Sequence, residues 1–177
     1  MRSSSHAHIA LTGHRPPKLD GYDLTTPFYR RLRSRLDRII SDQLDAHDLL
    51  TLHSGLALGA DTVWSQAIID ARETHPDRIR FVAEVPFAGQ ADRWTADDRR
   101  VWTYHFRSAD ETNFYGDQFS MRSIWDRNQT MVRAADWLIA VWDGRPGGGT
   151  AGTVAHAGRL DVPVLRIDPD EIRAEIT

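Results

Sequence analysis

The chain has no cysteine among its 177 residues. Disulfides, thiolate nucleophiles and thiolate metal ligands are therefore excluded, and this usage fits a reducing compartment. Its 22 basic residues include one lysine, Lys18. No glycine-rich stretch ends in a lysine, so a Walker-type phosphate loop is missing, and so is the dinucleotide spacing G-x-G-x-x-G. Together these gaps argue against an ordinary ATPase and an ordinary dehydrogenase. No apolar run approaches the roughly 20 residues of a membrane span, and Met1-Arg2-Ser3-Ser4-Ser5-His6 lacks the apolar stretch of a secretory signal. A cytoplasmic protein with no membrane partner is expected. A strong charge of either sign is also lacking: the formal net charge is −3 and the pI about 6.2, which gives no bulk attraction to nucleic acid. His6, His8, His47, His53, His75, His105 and His156 show no ligand spacing with carboxylates, so no metal and no other cofactor is expected.

Hydrophobic residues make up 41% and charged residues 27%, as in a soluble globular domain. The length favours one domain, spanning 1–177, with a sizeable core. His8–Thr12 reads as a first strand. Phe28, Leu32, Leu36, Ile39, Ile40 and Leu44 recur at helical spacing; of the arginines at 30, 31, 33, 35 and 38, Arg31, Arg35 and Arg38 share the opposite face, read as solvated rather than as a nucleic-acid patch. Strands follow at Asp48–His53 and Ile79–Val85, with a helix from about Thr62 to Glu73 between them. Asp92 to about Arg107 reads as helical, and Ser108–Ser120 as a short strand or irregular loop. Met121–Ala135 is a helix with Met121, Ile124, Trp125, Asn128, Val132 and Ala135 on one face. Trp137–Trp142 is apolar without alternation, the pattern of a strand covered on both sides. A helix from about Thr150 to Arg159, a strand at Pro163–Ile167 and a short polar helix complete the chain. Strands alternating with helices predict an α/β fold, a Rossmann-like three-layer sandwich around a mostly parallel sheet.

Three bends stand at predicted strand ends: Thr12-Gly13-His14-Arg15, Ser54-Gly55 through Asp61, and Gly147 through Thr153. Glycines expose backbone N–H groups there, and the helices that follow direct their positive dipole ends to the same place. In open parallel sheets ligands bind beyond the carboxyl ends of the strands. The bends are expected to meet in one anion-binding crevice, with Gly147, Gly148, Gly149 and Thr150 around a phosphate and Thr153 beside it. Gly13, Ser54, Gly55 and Gly59 are candidates for phosphate or ribose contacts. His14 and Arg15 end the first strand, and a guanidinium matches phosphate bidentately; a surface ion pair is the alternative for Arg15. Asp61 is either an N-cap or a carboxylate for ribose or catalysis. Arg127 and Asn128 interrupt an apolar stripe and need partners, either a neighbouring loop or a base or ribose. Gln90 and Trp94 form a lid or stack on a base, with ordinary core as the alternative for Trp94. Asp143 either starts a turn or is functional.

In order along the chain stand Thr12-Gly13-His14-Arg15-Pro16, Ser54-Gly55-Leu56-Ala57-Leu58-Gly59-Ala60-Asp61, Pro86-Phe87 with Gln90 and Trp94, Arg127-Asn128, and Gly148-Gly149-Thr150. This ordered set resembles the SLOG superfamily, Rossmann-like proteins that include the DNA-processing protein DprA/Smf and the LOG phosphoribohydrolases, and most closely its YpsA-like branch. The resemblance runs from about residue 8 to 167. It implies a small nucleotide-related ligand over the glycine loops and a homodimer formed through helices flanking the sheet. LOG enzymes cleave the N-glycosidic bond of a nucleoside monophosphate with an arginine and the glutamate of a PGGxGTxxE motif. Pro146-Gly147-Gly148-Gly149-Thr150 resembles its start, but the glutamate position falls near Thr153 or Val154. A DprA-like single-stranded DNA module would want a cationic groove with stacking aromatics, which the acidic net charge disfavours. The expectation is a binding module or sensor for a nucleoside monophosphate or an ADP-ribose-like molecule. LOG-type hydrolysis is the enzymatic alternative.

Overall fold

The computed structural model describes residues 5–176, and every strand in this range joins one six-stranded parallel sheet of order β4-β3-β2-β1-β5-β6. The strands are β1 (His6–Gly13), β2 (Leu49–Ser54), β3 (Ile79–Val85), β4 (Glu111–Phe114), β5 (Trp137–Val141) and β6 (Val164–Ile167). Between and after them run α1 (Pro27–Ala46), α2 (Ala60–Thr74), α3 (Ala96–Ser108), α4 (Met121–Ala134), α5 (Gly148–Arg159) and α6 (Pro169–Glu175). The chain builds outward from β1 to β4, then crosses back to lay β5 on the other side of β1. The switch point therefore lies between β1 and β5, which pair in register with Gly13 opposite Val141. The carboxyl ends of these two strands form the crevice in which such sheets place ligands.

The two faces of the sheet are unlike. Under α1 and α2 lies a thick apolar core that includes Phe28, Leu32, Leu36, Trp64, Ile68 and Phe81. The α1 stripe is buried as its spacing predicts, except that Ile39 is only partly buried. Three of its arginines stand in ion pairs: Arg33 with Asp37 and Asp70, and Arg31 and Arg35 with Glu175. The opposite face carries a small apolar cluster of Ala10, Met131, Val132, Ala135, Leu138 and Ala157. Beside it, polar residues on β2 and β3 are buried, among them His53 and Glu84.

Two helix starts differ from the sequence reading, and within Ser108–Ser120 the short-strand alternative is the one found. α3 begins at Ala96, not Asp92, because Thr95 caps it by accepting the Asp98 N–H; residues 90–94 form turns before it. Residues 111–114 form the edge strand β4. α5 begins at Gly148, inside the glycine run, because Gly147 and Gly148 take φ of +93° and +80° and turn the chain sharply into the helix, a region glycine enters without strain.

Candidate functional site

A cavity of about 1040 Å³ opens at the carboxyl end of β1, lined there by Leu11, Thr12 and Gly13, with Leu138 of β5 and the stretch after β3 in its wall. Its walls come from all three bends: Gly13 and Arg15 after β1, Ala57 and Asp61 after β2, and Gly149, Thr150 and Thr153 of α5. One residue, His14, cross-links the bends. Its carbonyl accepts the Ala60 N–H at 3.3 Å, and its buried ring lies 3.0 Å from the Asp143 carboxylate at the end of β5. The segment after β3 supplies Phe87, Gln90 and Trp94. The stretch before α4 adds Asp117 and Phe119, and α4 itself adds Arg127 and Asn128.

Arg127 dominates the chemistry. It is 8% exposed, yet its Nε has no hydrogen-bond partner among the described residues. Asp61 Oδ2 stands 3.9 Å from Nη1, beyond hydrogen-bond range. Asp61 is itself buried and accepts the Ala57 N–H at 3.3 Å. Burial pushes its pKa up, against the pull of Arg127 and the backbone N–H groups. Arg127 is pushed down, also by burial first, with Asp61 opposing and Arg15 adding to the shift; a guanidinium remains charged nonetheless. The buried Arg127 and Asp61 and the exposed Arg15 thus line one cavity with Gly149 and Thr150 of the first turn of α5, a helix N-terminus that no side chain caps. Buried guanidinium donors are costly when unsatisfied, and an anion supplies the acceptors they lack.

Gly55 makes this arrangement possible. A Cβ there would lie 1.3 Å from Arg127 Nη1 and 2.8 Å from Asp61 Oδ2. The glycine serves the arginine, which lies against the backbone of the bend, and Gly55 does not line the cavity.

The expected set therefore divides. Gly13, Arg15, Asp61, Gln90, Trp94, Arg127, Asn128, Gly149, Thr150 and Thr153 line the cavity. His14, Ser54, Gly55, Gly59, Asp143, Gly147 and Gly148 stand outside it. Ser54 is fully buried and bonds Ser65 Oγ at 2.8 Å. Gly59 is the N-cap of α2. Asp143 is taken by His14 and receives the Arg145 N–H. Within the wall, Gln90 is committed at both ends, donating to the Gly55 carbonyl at 3.0 Å and accepting from Trp102 Nε1 at 3.1 Å. The Thr153 hydroxyl donates to the Gly149 carbonyl of its own helix. Trp94 also walls a second, small pocket with Leu56, Gly59 and Trp102. α4 is rotated relative to its apolar pattern: Met121 and Trp125 are exposed, while Arg127 and Met131 point inward. Sequence reasoning missed Asp117, Phe119, Ile124 and Met131 as wall residues; the inward Arg127, with Ile124 and Met131 at three- and four-residue spacing from it, was the available signal.

Comparison with known proteins gives the family and the fold. The sequence model described as the YspA SLOG family (YpsA) matches residues 9–171. The "Uncharacterized SPbeta prophage-derived protein YoqJ" of Bacillus subtilis (strain 168) is 24% identical over 161 residues, covering 83% of this chain and 93% of that protein. The X-ray structure of TM1055, a structural-genomics target, superposes with a TM-score of 0.54 at 18% identity, over 89% of this chain and 72% of that one, a likeness of fold.

Proposed function

The chain belongs to the YspA SLOG family, and from that premise we propose that it binds a nucleotide-derived phosphorylated ligand in the cavity between β1 and β5, as a sensor or binding module. A nucleoside monophosphate or an ADP-ribose-like molecule is the ligand class. The observation that carries this reading is Arg127, a buried guanidinium that lines the same cavity as Gly149 and Thr150 of α5 and whose Nε has no hydrogen-bond partner among the described residues. The phosphoryl group takes the inner end, between Arg127, Arg15 and the first turn of α5, where charge and backbone N–H groups converge. Phe87, Trp94 and Phe119 offer flat apolar surface to a base in the rest of the cavity. Calorimetric titration with AMP and with ADP-ribose tests the reading. Arg127→Gln is expected to weaken binding at least about tenfold, from the roughly 1.5–3 kcal/mol of a charge-assisted hydrogen bond. Equal affinity of the two proteins rejects it.

Hydrolysis of the N-glycosidic bond is a second reading, favoured by one observation. Asp61 is a buried carboxylate facing the cavity, with its pKa raised by burial, the property a general acid needs. Incubation with AMP at high protein concentration should then release adenine, and Asp61→Asn should stop it. No release removes this reading. For two-copy assembly we propose α4, where Met121 and Trp125 stand exposed one turn apart. Light scattering that reports a monomer at every concentration rejects it.

A further inference from the structure

The bend after β2 opens irregularly, over Gly55, Leu56 and Ala57. Leu56 takes φ of +51°, a left-handed conformation that costs a branched side chain energy and persists only where the surroundings impose it. Neighbours in sequence supply part of the hold. Ser54 Oγ accepts the Leu56 N–H at 3.3 Å, Asp61 accepts the Ala57 N–H at 3.3 Å, and the Ala57 carbonyl accepts the Thr62 hydroxyl at 3.0 Å. Gly55 is held from farther away. Gln90, buried and 35 residues on, donates from Nε2 to the Gly55 carbonyl at 3.0 Å, and no other donor among the described residues reaches that oxygen. Its Oε1 accepts from Trp102 Nε1 of α3 at 3.1 Å, and the Trp102 ring stacks on Phe106, with centroids 4.9 Å apart and 11° between the planes. On its other side Gly55 carries Arg127, whose Nη1 occupies the place of a Cβ. Direct contacts thus run from α3 through Gln90 and Gly55 to the guanidinium.

We infer that Gln90 is a positioning residue for Arg127: it fixes the bend against which the guanidinium lies, and so the aim of the guanidinium into the cavity. The inference rests on the reading of the cavity as an anion site, and it goes further by naming what aims the anchor.

The residue type follows from the two partners. The Gly55 carbonyl only accepts and the Trp102 indole only donates, so the side chain between them must carry a donor and an acceptor on one short tip. A carboxamide does. A carboxylate lacks the donor, and a thioether of the same length has no donor and only a weak acceptor. The same partners fix which way the amide is turned. Without Gln90 the Gly55 carbonyl is free to rotate, and glycine has the widest range of backbone conformations to rotate through. Arg127 follows, because little else sets its direction: its Nε has no partner among the described residues, and Asp61 stands 3.9 Å from Nη1, beyond hydrogen-bond range.

Gln90→Met, which keeps length and burial but removes both strong bonds, tests this in two ways. The first needs no ligand. In the free protein the side-chain Nε–H resonance of Arg127 should move, while the Trp64 Nε1–H, bonded to the His53 carbonyl at 3.0 Å in the core, should stay. An unmoved Arg127 signal overturns the inference, whatever the cavity binds. Equal movement of both signals, the mark of a general loosening, overturns it too. The second is NMR titration of the intact chain with inorganic sulfate in a double-mutant cycle. Gln90→Met should weaken sulfate binding about fivefold in the wild type and leave it unchanged in an Arg127→Gln background. Equal weakening in both backgrounds, or none in the wild type, overturns the inference. Should Gln90→Met fail to fold, Trp102→Phe takes its place in both measurements and decides in the same way; it keeps the ring stack and removes only the indole donor, so about a twofold loss is expected. Failure of the anion reading is a separate result, recognised by sulfate binding that is the same in Arg127→Gln as in the wild type, and the resonance measurement stands apart from it.

Discussion

Gly55→Ala is the sharpest perturbation of this site, because it adds one methyl group outside the cavity and is expected to disable what lies inside. The backbone at Gly55 is not in the left-handed region, so alanine is allowed conformationally. The added Cβ would stand 1.3 Å from Arg127 Nη1, 2.6 Å from its Cζ and 2.8 Å from Asp61 Oδ2. Arg127 must leave. Overpacking costs about 1–3 kcal/mol, and a buried pair with one partner removed costs about 3–5 kcal/mol. Because Arg127 and Asp61 are 3.9 Å apart and the arginine has an open cavity to move into, we expect about 2–4 kcal/mol by chemical denaturation, between those limits. AMP affinity should fall at least about tenfold alongside, since the displaced guanidinium no longer aligns with the start of α5. The double-mutant cycle isolates the cause. In an Arg127→Ala background the same methyl group meets little, and its stability cost should drop below about 1 kcal/mol, helped by the entropy alanine removes from the unfolded chain. If Gly55→Ala costs as much without Arg127 as with it, the close approach of arginine to backbone is not why glycine stands there, and the reasoning fails.

Two further predictions separate stability from binding. Gly149→Asp places a carboxylate in the first turn of α5, in open space at the cavity wall; it should raise helix stability by about 0.5–1.5 kcal/mol through dipole and propensity while lowering AMP affinity more than about tenfold, and a variant with both quantities reduced would point to a folding defect instead. His105, 2% exposed with its pKa pushed down to about 4 by burial, is neutral in the folded chain where the unfolded chain already binds a proton. Its contribution is complete above the unfolded value of 6.5 and is lost as pH falls toward 4, about 3 kcal/mol in all. Denaturant midpoints of His105→Gln should therefore fall less on acidification over that window than those of the wild type, and parallel curves would refute the assignment.

The strand order along the chain was legible because each buried strand is a short apolar run closed by a turn, as in Trp137–Trp142 and Ile79–Val85. The meeting of three bends at one edge followed from the rule for parallel sheets, and Arg127 could be singled out as a charge inside an apolar stripe. What could not be read was long-range. His14 and Asp143 are 129 residues apart in sequence, so neither shows that the other consumes it. Gly55 looked like a ligand contact because the sequence does not show that Arg127 rests on it. On the apolar face expected for α4, Val132 and Ala135 are buried and Ile124 and Asn128 line the cavity, but Met121 and Trp125 are exposed, because the helix turns Arg127 to the cavity and leaves Trp125 against Gly152 of α5. The start of α3 was within reach, since Thr95 followed three residues later by Asp98 is a capping pattern.

The side-chain Nε–H resonance of Arg127 reports most directly on whether this guanidinium is the ligand's anchor. Without ligand that group has no acceptor among the described residues. On saturation with AMP its resonance should shift strongly, as phosphoryl oxygens accept hydrogen bonds from the guanidinium. A resonance that stays in place while signals elsewhere in the cavity move would show that the ligand is held by other groups.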